Sequence, residues 1–343
     1  DGVVGGRDHA FLRLLLFAPW IPRSVRRRLA RRAVAWVPRR PGRPDPFAFT
    51  SRLEGLEYRG TLRSHLDAAV YFHGAFEKPL ASFLRDAARA LRSDLRFDAA
   101  GGGLHFWDVG ANVGQHSMVV CGEVDSVEAF EPFGEVADLF EGHVARNGLE
   151  NVRLHRFALG ERAERRALLA PTSGNRGTAS LVPDREAHGG SPSVDPVVEV
   201  RSGDDVAREL DATELKSTGG RGAVGLLKID VEGWERQVLA GLRETLRSDR
   251  PLVVTEVSYG GPDAFRSAAE LQGALPPDYL LFRFDTRKAD GSKARRRQAR
   301  ERRSGAYRLV ACTGWRSDSQ DDLVACPAEL APLLPRAGAG LER

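Results

Sequence analysis

Two carboxylates spaced around a glycine turn dominate the chemistry of this chain. Asp108 closes the apolar run Phe106-Trp107-Asp108-Val109. The turn Gly110-Ala111-Asn112-Val113-Gly114 follows, and Glu131 ends a second apolar run, Ser126-Val127-Glu128-Ala129-Phe130. The first glycine lets the backbone turn and lets a ligand approach, while a carboxylate on the next strand accepts hydrogen bonds from ribose hydroxyls. A pocket for a nucleoside-bearing cofactor is the chemistry this pattern serves.

The spacing also discriminates between cofactors. A dinucleotide fingerprint is Gly-x-Gly-x-x-Gly, but here Asn112 stands near the middle glycine position and Gly114 follows Gly110 by four. A carboxylate at Asp108 repels a pyrophosphate and suits a cation. The pattern therefore favours S-adenosylmethionine, which carries an ammonium and a sulfonium, over NAD. No tyrosine has a lysine four residues on, so the catalytic pair of many short-chain reductases is absent.

A second charged run is Leu226-Leu227-Lys228-Ile229-Asp230-Val231-Glu232-Gly233-Trp234-Glu235. Strand alternation brings Lys228, Asp230 and Glu232 to one side. They serve either chemistry or an ion-pair cluster closing the sheet edge, and Lys228, deepest in the strand, suits the structural part.

These groups need elements to hold them. Strands are expected at 105–109, 126–130, 152–158, 224–230 and 251–257, with helices over 80–95, 133–147 and 234–247 between them. That alternation predicts an α/β fold with a doubly wound, mostly parallel sheet, its ligands at the carboxyl ends of the strands. Asp108, Glu131, Asp230 and Glu256 all fall on that rim. Later strands, at 279–284, 307–312 and 323–326, lack crossover helices and read as antiparallel. A Gly/Ser/Pro-rich stretch over 171–203 reads as a substrate loop, and 287–303, with nine basic and two acidic residues, as a mobile, solvated basic insertion.

Composition sets the class. At 343 residues, 42% hydrophobic and 29% charged, the chain is globular. Cys121, Cys312 and Cys326 lack metal spacing and fit reduced thiols in a cytoplasmic protein. The net charge of +4 hides an asymmetry: residues 1–50 hold eleven Arg and three Asp, net +8, which leaves −4 elsewhere. A nucleic-acid partner is not indicated. Residues 10–37 join an apolar run to an arginine cluster, too short and interrupted to span a bilayer. They either meet an anionic membrane surface or lipid-linked substrate, peripherally, or pack on the body or on a second subunit of a homo-oligomer. The expected domains are a basic amphipathic extension and linker over 1–60, the main domain over 61–335 and a tail from 336.

The motifs together resemble the FkbM-type S-adenosylmethionine-dependent methyltransferases. The resemblance rests on Tyr71-Phe72-His73-Gly74-Ala75-Phe76-Glu77, Asp108 to Gly114, Glu128-Ala129-Phe130-Glu131-Pro132, Asn147-Gly148-Leu149 with Ala158-Leu159-Gly160-Glu161, Lys228 to Gly233, and Val254-Thr255-Glu256-Val257. Gly203-Asp204-Asp205 departs from the family's Leu-Asp-Glu. The resemblance implies a class I, Rossmann-like methyltransferase fold, a seven-stranded sheet with an antiparallel final hairpin, and O-methylation of sugars, polyketides or other natural products. Cofactor-binding residues are then Glu77, Asp108, Gly110, Ala111, Asn112, Gly114, Glu131, Pro132, Ala158, Leu159 and Asp230. Residues 157–159 line the adenine, with Glu161 nearby. Proton removal from the acceptor falls to Asp230, Glu232, Glu256 or His116, with His73 a further histidine near the motifs. Asp230 and Glu256 could instead hold Mg²⁺, although base catalysis without metal is favoured. The competing readings are an NAD(P)-dependent oxidoreductase and a membrane-surface binding protein on a methyltransferase scaffold.

Overall fold

The structure is a computed structural model that describes residues 16, 18, 20–37, 42, 45–97, 102–169, 180–181, 196–218, 222–259, 263–286, 294–316 and 320–341. Most of the stretch expected as a substrate loop, the first residues of the basic insertion and most of residues 10–19 lie outside these. The chain divides into two compact units, one ending at Phe76 and one beginning at Glu77.

The first unit holds helix α1 (Arg23–Trp36), hairpin strands β1 (Ala48–Leu53) and β2 (Leu56–Thr61), and helix α2 (His65–His73). The hairpin falls, but for Thr61, within the 1–60 stretch expected as extension and linker. Buried Asp67 ties α2 to it, accepting from Tyr58 Oη at 2.5 Å and from the Thr61 amide at 3.0 Å.

In the second unit, α3 (Lys78–Leu91) is followed by β3 (Leu104–Val109), α4 (Gln115–Val120), β4 (Ser126–Phe130), α5 (Gly134–Asn147) and β5 (Val152–His155). Next come β6 (Ala158–Gly160), β7 (Glu164–Ala167), β8 (Val197–Ser202), α6 (Gly203–Thr218) and β9 (Ala223–Ile229). The remainder is α7 (Glu235–Gly241), α8 (Arg243–Ser248), β10 (Leu252–Ser258), α9 (Ala268–Gly273), β11 (Tyr279–Phe284), α10 (Arg295–Ser304), β12 (Tyr307–Ala311), β13 (Gln320–Pro327) and β14 (Ala337–Gly338).

One mixed sheet runs in the order β14-β12-β11-β13-β10-β9-β3-β4-β5. The five strands from β10 to β5 are mutually parallel. β13 inserts antiparallel between β10 and β11. The sheet thus has nine strands among the described residues where seven were expected: the strand expected at 307–312 joins it as β12, and the unexpected β14 pairs with β12 at the edge. The chain winds outward from β3 through β4 to β5, then returns to place β9 on the other side of β3. That reversal is the topological switch point where doubly wound sheets bind ligands.

Three expectations change in detail. The strand expected over 152–158 breaks after His155, and Ala158–Gly160 joins a separate three-stranded sheet, β6-β8-β7. The helix expected over 234–247 is two helices: a Cβ on Gly241 would meet the Gly160 carbonyl oxygen at 1.8 Å. The second helix restarts there because the Asp204 carboxylate accepts from the Glu244 and Thr245 amides at 3.0 and 2.9 Å. The described part of the basic insertion is a helix, α10, rather than a loop.

Candidate active site

The loops leaving β3, β4 and β9 meet around a solvent-open hollow lined by Val109, Gly110, Asn112, Phe130, Glu131, Pro132, Ala158, Leu159, Leu168, Leu181, Asp230, Val231, Glu232 and Trp234. Eight residues expected at the site therefore share this hollow: Gly110, Asn112, Glu131, Pro132, Ala158, Leu159, Asp230 and Glu232.

The glycine turn owes its shape to steric necessity. Gly110 has φ +78°, and a Cβ there would stand 1.8 Å from the Asp230 carbonyl oxygen. Only glycine allows the β3 and β9 exits to approach so closely. The Gly110 amide donates to the Phe130 carbonyl at 3.0 Å, so the turn is also anchored to β4. A Cβ on Gly114, φ +79°, would fall 2.2 Å from the Phe140 ring. Asn112 is left-handed at φ +52°, a conformation asparagine tolerates.

This turn aims the Asn112 amide at Glu131. Glu131 Oε2 accepts from Asn112 N at 2.9 Å, and Oε1 accepts from Phe133 N at 2.9 Å. A carboxylate has about four lone-pair directions, so Glu131 is fixed in place yet keeps acceptor capacity for further donors. Burial pushes its pKa up to about 7 against the pull of these two amides.

Asp108 behaves differently. It is fully buried and outside the hollow's lining. Its Oδ2 accepts from Ser117 Oγ at 2.7 Å and its Oδ1 lies 3.3 Å from Lys228 Nζ. Lys228 Nζ also lies 3.4 Å from Asp230 Oδ2. Lys228 is thus a buried bridge joining β3 to the carboxylate that reaches the hollow, and Asp108 acts through it. Ala111 and Gly114 shape the turn without lining the hollow.

The turn after β9 is built by Glu235. Its Oε1 accepts from Val231 N at 3.3 Å and Gly233 N at 3.0 Å. Glu232 and Gly233 are held left-handed, at φ +54° and +102°, which stores strain at a residue facing the hollow.

Further carboxylates gather on the β10 side. Glu256 and Asp322 are direct cross-strand partners in the β10–β13 pair. Burial, then the charges of Asp230 and Asp322, push Glu256 up to about 11. Burial and Asp230 push Asp322 up to about 7. Glu77, beside α3, is raised by burial and then by Asp322 and Asp230. Neither Glu77 nor Glu256 lines the hollow. Asp322 was missed from the sequence because only the antiparallel register sets it opposite Glu256. Leu168, Leu181 and Trp234 were missed for a similar reason: apolar residues carry no signal of which cavity they line. The Trp234 indole Nε1 is buried with no hydrogen-bond partner among the described residues.

His116 is buried on α4, and its Nε2 has no partner among the described residues. Burial and the Lys228 charge lower its pKa to about 3. His73 belongs to the first unit, and Glu161 pairs loosely with Arg243 at 3.9 Å. Among the described residues no group of three or more His, Cys, Asp or Glu side chains is arranged to hold a metal ion.

The site thus places a carboxylate, fixed by two backbone amides, beside a glycine turn at the switch point of a doubly wound α/β sheet. The methyltransferase FkbM domain matches residues 108–280, and the chain belongs to this family of S-adenosylmethionine-dependent methyltransferases. Among solved structures, methyltransferase FkbM from Methylobacillus flagellatus KT is similar at 16% identity and a TM-score of 0.38, over 93% of this chain and 59% of that one. A SAM-dependent methyltransferase from Agrobacterium tumefaciens is similar at 10% identity and a TM-score of 0.38, over 84% and 73% of the two chains. Precorrin-6y C5,15-methyltransferase from Geobacter metallireducens GS-15 is similar at 10% identity and a TM-score of 0.29, over 70% and 87%. The chain thus spans 59% of the length of the Methylobacillus protein. No curated protein matches the sequence.

Proposed function

We propose that this protein transfers a methyl group from S-adenosylmethionine to a hydroxyl of a sugar, glycan, glycolipid or other natural-product acceptor. The observation that carries the reading is the Glu131 carboxylate, pinned by two backbone amides on a hollow whose lining also holds Asp230 and Glu232.

The residues present fit the cofactor. Glu131 has acceptor capacity left for ribose hydroxyls, Gly110 removes the side chain that would obstruct the turn, and Ala158 and Leu159 offer an apolar wall for adenine. Glu232 and Asp230 supply negative charge for the cationic end. When bound, S-adenosylmethionine supplies a methyl group already activated by the sulfonium. The protein must then orient the acceptor and exclude water, which Leu168, Leu181 and Val231 help to do.

An acceptor hydroxyl must also lose its proton. Asp230 takes it, since this carboxylate reaches the hollow and is oriented by Lys228 at 3.4 Å. Glu256 and Asp322 feel the Asp230 charge, which helps to raise both their pKa values. His116, with a pKa lowered to about 3, is a weak base at neutral pH and is assigned a packing role. No metal is required in this scheme, so chelation is expected to leave turnover unchanged.

Calorimetry with S-adenosylhomocysteine and with NAD tests the cofactor: binding of NAD alone overturns the reading. Transfer from a radiolabelled methyl donor across monosaccharides, oligosaccharides and lipid-linked glycans tests the acceptor class, and transfer only to amines or carbon would replace O-methylation.

A further inference from the structure

Helix α1 presents opposite chemistry on its two faces. Inward, Arg26 and Ala30 are buried and Leu29 and Ala33 half-buried. The one inward arginine is satisfied, donating from Nη1 to Tyr71 Oη at 3.1 Å and from Nε to the Ile21 carbonyl at 3.1 Å. Outward, Arg27, Arg28, Arg31 and Arg32 are exposed. At 3.6 residues per turn they share roughly half the helix circumference, and no ion pair joins them to another described residue. Trp20, just before the helix, is 73% exposed, and Trp36, its last residue, is 88% exposed.

We infer that this face of α1 is an interfacial anchor that lies on an anionic lipid surface. Four unpaired arginines on one helix face complement phosphate headgroups, each contributing about a fivefold gain in binding near such a surface. Indoles favour the boundary between water and hydrocarbon, where the ring is sheltered and the N–H stays wet. Exposed tryptophans at both ends of a basic helix therefore match a lipid headgroup layer. No helix among the described residues is long and apolar enough to cross a membrane, so the contact is in-plane. Nucleic acid fits less well, because the face is convex and its aromatics stand at the ends rather than between the arginines.

A second basic helix supplies the contrast. α10 exposes Arg295, Arg296, Arg300, Arg302 and Arg303 but contains no large apolar residue. It is the charge without the anchor.

The test is co-sedimentation of the full chain with phosphatidylcholine vesicles, with and without phosphatidylglycerol. Expected is binding that requires phosphatidylglycerol. It should weaken at least about 25-fold in R27E/R31E and about tenfold or more in W20A/W36A. R296E/R300E on α10 should cost no more than about twofold, because α10 carries no apolar anchor to hold it at a lipid surface. These positions are exposed, and thermal unfolding confirms that each variant is folded. The inference is overturned by absence of vesicle binding, by equal losses for the α1 and α10 charge variants, by full binding in W20A/W36A, or by an α1-dependent affinity for short duplex DNA exceeding that for vesicles.

Discussion

Lys228 Nζ lies 3.3 Å from Asp108 Oδ1 with both side chains buried, and the same ammonium reaches Asp230 at the hollow. The central strands β3 and β9 are thereby joined by a charge pair next to the site they build. Removing one partner strands the other charge in the core. Lys228→Met is expected to destabilise by about 3–5 kcal/mol, measured by urea unfolding. A loss below about 1 kcal/mol would show that the bridge is dispensable.

Gly110 has no room for a side chain. Gly110→Ala combines a left-handed φ of +78° with a Cβ 1.8 Å from a backbone carbonyl. The expected cost is about 3 kcal/mol or more, together with loss of S-adenosylhomocysteine binding in calorimetry. Wild-type affinity in this variant would refute the turn's assigned role.

Glu131 gives a pH signature. Its folded pKa of about 7 lies above the ordinary 4.5. Between those values the folded protein keeps a proton that the unfolded chain releases, so this group's contribution to stability falls as pH rises from about 4.5 to 7. Ligand binding has the opposite sign, because ribose hydroxyls need the carboxylate. Affinity for S-adenosylhomocysteine is expected to rise with pH through about 7 and then level. Glu131→Gln should flatten both dependences and weaken binding about 10- to 100-fold, the effect of losing one to two charge-assisted hydrogen bonds.

Asp230 and His116 separate two assignments of the base. Asp230→Asn is expected to lower kcat about 100- to 10,000-fold with S-adenosylhomocysteine affinity changed far less. His116→Leu removes a buried nitrogen that has no partner among the described residues. It should shift stability by no more than about 1–2 kcal/mol and leave the pH–rate profile in place. A lost profile in His116→Leu would transfer the role to the imidazole.

Asp322 is testable through its neighbour. The pair it forms with Glu256 across β10 and β13 is expected to set an apparent pKa near the value of about 7 at Asp322. Asp322→Asn should move the acidic limb of kcat rather than KM, as read from full pH–rate curves.

The sequence determined the strands that carry the chemistry and the rim on which they end. Alternation in Phe106–Val109 and Leu226–Ile229, and the glycines at 110 and 233, are local properties, legible because side-chain period and φ freedom belong to single residues. Glu131 was legible too, since strand ends and turn spacing fix it. Tertiary structure decided what depends on register between distant segments. It turned Asp108 away from the hollow onto Lys228, split 152–158 between two sheets, and set Asp322 beside Glu256. Pairing partners are chosen by the packing of the whole sheet, and a one-residue slip sends every side chain to the opposite face. No local pattern encodes that choice.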